Sequence, residues 1–124
     1  MTARIAEISI HPRAVNLVIV ERARAWRVHT TFSDAMLGRL VRMTGGAIAP
    51  CLGQSLDSLP EVELTMSGTG STDLPTSFRK GGQSISLRGS HVHEYTGYWA
   101  ELYSGEPNAE SVKAREAEAR RWAA

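Results

Sequence analysis

Residues 15–44, VNLVIVERARAWRVHTTFSDAMLGRLVRMT, decide the fold, because the hydrophobic period changes from two to about 3.6 within this span. Val15 to Val20 is a β-branched run suited to a strand near the middle of a sheet. Trp26, Val28 and Thr30 then alternate with Arg27, His29 and Thr31, the pattern of a half-buried strand. The period lengthens after Phe32. Ser33 is placed to cap a helix, with Phe32 before the cap and Leu37 behind it as a hydrophobic staple. Met36, Leu37, Leu40 and Val41 predict one apolar stripe, and Gly45-Gly46 a left-handed stop.

Upstream, Ala6, Ile8 and Ile10 alternate with Glu7 and Ser9, which predicts a first strand with those three apolar residues on one side. Pro12 ends it, having no amide to donate to a ladder. Residues 1–31 therefore read as a meander of three antiparallel strands. Downstream, Pro50 to Leu59 predicts a helical turn with Leu52, Leu56 and Leu59 facing inward, and Val62, Leu64 and Met66 predict a further strand. Ser67 to Pro75 is a loop of turn residues, and Lys80-Gly81-Gly82-Gln83 sits where a hairpin should turn. A last strand is expected from His91 to Tyr103, then a helix capped by Asn108 with a thin apolar face of Val112, Ala119 and Trp122.

The 124-residue length leaves room for one core, so residues 1–124 read as a single α+β domain. Its segments are a strand meander (1–31), a helical segment (32–59), strands (60–105) and a terminal helix (106–124). The expected sheet is antiparallel, of about five to seven strands, with one packed amphipathic helix and a C-terminal helix. Met1 to Ile10 lacks the apolar core of a secretory signal, and no run is apolar enough to span a membrane. A single cysteine, Cys51, rules out a disulfide framework within one chain. These features point to a cytoplasmic protein without a membrane partner.

No catalytic motif emerges. Cys51 has no nearby base, the glycines around Thr69 lack the lysine of a P-loop, and Glu61 and Glu63 read as solvated. His91-x-His93 is the nearest approach to a metal site. Its third ligand has no recognisable spacing, so neither metal nor cofactor is assigned. A metal-dependent enzyme built on His91 and His93 stays open as an alternative. The segment FRKGGQSISLRGSH (Phe78 to His91) offers more. Arg79, Lys80 and Arg88 can neutralise phosphate, its glycine amides can approach phosphate oxygens, and Phe78 or Trp99 can stack a base. The expected ligand is a small phosphate-bearing nucleotide, bound without chemistry. A net charge of +1 disfavours extended nucleic-acid binding, which is kept as an alternative beside inhibition of a protein partner. The thin terminal helix and the aromatic run Tyr95 to Tyr103 predict a homo-oligomer.

The order of elements from Asn16 to Leu40, followed by GAIAPCLGQSLDSL (Gly46 to Leu59), resembles the phage anti-Thoeris sponge proteins. Both show a strand pair, a short capped helix and a glycine-marked turn leading into a leucine-spaced segment. The resemblance implies a non-enzymatic oligomer that sequesters cyclic ADP-ribose-type or cyclic oligonucleotide signals between subunits. For a phage-encoded chain it implies the host-cell cytoplasm. None of that family's ligand-contacting residues is carried onto this sequence.

Overall fold

The computed structural model describes residues 1–22, 24–50, 56–95, 103 and 109–123. Strands β1 (Thr2–His11), β2 (Ala14–Glu21) and β3 (Arg24–Thr31) form the expected meander. Helix α1 (Asp34–Thr44) follows, then β4 (Glu61–Ser67), β5 (Leu74–Lys80), β6 (Gln83–Ser86), β7 (His91–Tyr95) and helix α2 (Ala109–Ala123). All neighbouring strands are antiparallel in one seven-stranded sheet of order β6-β5-β4-β1-β2-β3-β7, an α+β fold.

The two edge strands are consecutive in the chain. Laid flat, seven strands would separate β6 from β7 by about 29 Å, whereas the five steps from Ser86 to His91 reach at most about 18 Å. The sheet must therefore curl, and β5 does approach β7. A charge cluster clamps this seam. Arg24 on β3 lies 2.8 Å from Asp73, just before β5, and 2.7 Å from Glu94 on β7. Its guanidinium also stacks 4.7 Å above the Trp26 ring.

Curling gives the sheet an inner and an outer face. The inner face is apolar: Ile5, Ile8, Leu17, Ile19, Trp26, Val28, Leu64, Phe78 and Ile85 meet Leu40 and Met43 of α1. Ser33 caps α1 as expected, accepting from the Met36 amide at 3.2 Å, and Gly45 ends it at φ 88°. The stripe is shifted from the expected one. Met43 is buried and Val41 is 44% exposed, because a helix seated by Leu40 turns position 43 inward and position 41 out.

The first strand also departs from strict alternation. A bulge between Ile5 and Glu7 places Ile5 and Ile8 on the inner face and moves Ala6 into the outer cluster. Ala6 therefore lies opposite Ile8 and Ile10, not beside them. The outer cluster joins Ala6, Val18, Val20, Ala25, Tyr95 and Tyr103 with Leu56, Leu59 and Val112. Leu52, Gly97, Trp99 and Asn108 lie outside the described residues, as does the stretch of the expected last strand between Tyr95 and Tyr103. Among the described residues no helix is long and apolar enough to cross a membrane.

Candidate functional site

The basic segment Phe78–His91 folds as β5, a tight turn, β6, a second tight turn and the start of β7. Lys80 pairs with Gln83 across Gly81 (φ 57°) and Gly82 (φ 80°), the two positive values of a type I′ turn. The second turn is closed by the Ser90 amide donating to the Leu87 carbonyl at 3.1 Å, with Gly89 at φ 80°. That is a type II turn with glycine at the position that demands positive φ, and Arg88 stands at its apex.

This geometry disperses the expected ligand set. Phe78 is fully buried in the inner core, so neither face of its ring is open to stack a base. The sequence showed an aromatic next to two cations. The strand's period of two sends Phe78 inward and Arg79 outward. Arg79 stands across from Glu63. A hydrogen bond from the Met1 amino group holds the Glu63 carboxyl below the ordinary carboxylate value, and the Arg79 charge adds to that pull. Lys80 lines a small cleft of about 230 Å³ with Arg42, Met43, Gly81 and Gln83, at the C-terminal end of α1. Trp99 lies outside the described residues.

Arg88 alone joins a larger constellation. It lines a cleft of about 460 Å³ with His29, Thr30, Thr31, Gly89 and His91. The register of β3 and β7 builds it, since His29 lies directly opposite His91 on the outer face. The meander ends there, and Thr30 and Thr31 complete the lining. Its volume falls within the usual range of small-ligand clefts. The chain matches no protein-family model, no curated protein and no solved structure. The site has to be read from its own chemistry.

That chemistry is one guanidinium with imidazoles and threonines around it. Arg4, Arg13, Arg22, Arg24, Arg27 and Arg115 each have a carboxylate within 4.0 Å. Among the described residues Arg88 and His91 form no ion pair. A guanidinium, imidazole N–H groups and the Thr31 hydroxyl, which shares the face of His29, can donate to the oxygens of one anion. His91 and His93 do share a face, but among the described residues no three His, Cys, Asp or Glu side chains are grouped to hold a metal ion.

Beside the cleft on the same face lies a polar cluster that alternation alone did not reveal. Two residues along from the His29–His91 pair, Arg27 stands opposite His93. Arg27 donates to Glu118 of α2 and to Asn16, each at 3.2 Å. Burial pushes its guanidinium below the ordinary value. Arg115 of α2 donates to the Tyr103 hydroxyl at 2.8 Å and pairs with Glu7, to which Tyr103 also donates at 2.9 Å. The Tyr95 and Tyr103 rings stack nearby, 6.4 Å between centroids. Burial raises both phenols well above the ordinary tyrosine value, with Glu118 adding to the effect on Tyr95 and Glu7 to that on Tyr103.

Proposed function

We propose that the protein is a non-catalytic binder that captures a small phosphate-bearing ligand of the nucleotide-signal class in the cleft of Arg88, His29 and His91. The observation that carries this reading is a concave group of hydrogen-bonding side chains around Arg88, which has no carboxylate partner among the described residues. Six arginines elsewhere on the molecule lie within 4.0 Å of an acid, whereas Arg88 lines a cleft. Phosphate is the matching chemistry, because it accepts bidentately from guanidinium and singly from imidazole and hydroxyl. Lys80 and Arg79 play no part in it, since they lie at the other end of β6 and across from Glu63.

Calorimetry against cyclic dinucleotides, cyclic trinucleotides and cyclic ADP-ribose isomers, with short single-stranded DNA as the competing class, tests the reading. Arg88→Ala should weaken capture by about 10- to 100-fold, the worth of one charge-assisted hydrogen bond. Arg79→Ala should leave affinity unchanged, and the ligand should be recovered intact after heat denaturation. Binding that survives Arg88→Ala would refute the site. DNA binding alone, with a steep salt slope, would favour the nucleic-acid alternative.

A further inference from the structure

The cleft adjoins a cation that α2 already holds. Arg27 precedes His29 on the same strand and face by one period, about 7 Å. An arginine side chain spans that distance. Glu118 nevertheless engages Arg27 from α2, placing a carboxylate where a phosphate at the inner end of the cleft would compete.

Among the described side chains the attachment of α2 is electrostatic more than apolar. Val112 is its one hydrophobic contact with the outer cluster among the described side chains. Its firm contacts are the pairs Arg115–Glu7 and Glu118–Arg27. They are incompletely satisfied, since Arg115 Nη1 and Glu118 Oε2 are buried without a hydrogen-bond partner among the described residues. Both residues are more than nine-tenths buried. Buried polar atoms left unpaired penalise the docked state, and undocking returns them to water. A helix held in this way sits at the low-stability end of the structure.

We propose that α2 is an autoinhibitory lid: Glu118 occupies Arg27 as an anionic ligand would, and release of α2 delivers Arg27 to the neighbouring cleft, beside Arg88. This rests on the anion-binding reading of that cleft. By linkage, a ligand that gains from lid release must favour release by the same factor.

The test uses the full chain, inorganic pyrophosphate as probe, and Glu118→Gln. This variant changes the neutral cluster of Glu7, Glu118, Arg27 and Arg115 to a net positive one. Amide exchange across α2 should speed at least about 10-fold while exchange in β1 and β2 stays as it was. Pyrophosphate affinity should rise about 10-fold or more, the worth of one further charge-assisted contact. In the unaltered protein, pyrophosphate should speed α2 exchange. The double variant Arg27→Met with Glu118→Gln restores charge balance, guards against misfolding, and should show no gain in affinity. Unchanged α2 exchange in Glu118→Gln would overturn the lid. Equal, measurable affinity in both proteins would overturn the competition and leave the cleft reading standing. A gain that persists in the double variant would also overturn it, because Arg27 would not be the route. Pyrophosphate binding to neither protein would sink the cleft reading and the competition together, while α2 exchange reports the lid separately.

Discussion

The two faces of the curled sheet are made from the same strands and held by different forces. On the inner face, Trp26, Phe78 and Leu40 are fully buried among other apolar side chains. That contact depends on volume and shape, and nothing in it titrates. On the outer face α2 lies over Glu7, Arg27, Tyr95 and Tyr103, and its grip depends on charge balance. Substitution on the inner face should therefore threaten the whole fold. Apart from the Arg24 clamp at the seam, chemistry that changes charge should act first on the outer layer. Alternating charge along a strand does not mean that its polar side meets water.

The largest effect is expected from Phe78→Ala, a loss of about 3–5 kcal/mol in urea-unfolding stability. The same change should leave ligand affinity unaltered in whatever fraction stays folded. A loss under about 1 kcal/mol would mean that the inner face collapses around the gap, and the contrast between faces would weaken. Leu40→Ala should cost about 2–5 kcal/mol by removing the residue that seats α1. A melting temperature that barely moves would detach α1 from the inner core.

The gentlest probe is alkali. Burial holds the Tyr95 and Tyr103 phenols neutral, so above their ordinary value of about 10 the folded state keeps protons that the unfolded chain gives up. Their contribution is fully present below pH 10 and is lost as pH rises, at a slope of up to about 1.4 kcal/mol per pH unit for each phenol. Tyrosinate absorbance should appear together with faster amide exchange in α2, ahead of any change in β1 or β2. Simultaneous loss of both layers would show that the two faces form one cooperative unit.

Much of the inner architecture was legible before folding. The meander, the Ser33 cap, the Gly45 stop and the Gly81-Gly82 turn each depend on short-range signals: period, capping chemistry and positive φ. Leu40 was legible as core for the same reason. The site was legible only in fragments. Arg88 and His91 could be picked out as candidate groups, but His29 comes from a strand some sixty residues earlier in the chain and joins them through register. Glu7, Arg115 and Glu118 carried no signal at all, because an acid on an alternating strand or a basic-acidic helix reads as solvated.

The sequence alone was enough for the meander, helix α1 and the Gly81-Gly82 turn, since those choices are settled within a few residues by backbone sterics and amphipathic period. Tertiary structure decided which face each polar residue shares and with whom. It buried Phe78, separated Arg79 and Lys80 from Arg88, moved Ala6 across the sheet through one bulge, and set Glu118 against Arg27. The physical reason is that electrostatic partnership depends on distance in space, and strand register and sheet curl set those distances between residues far apart in the chain.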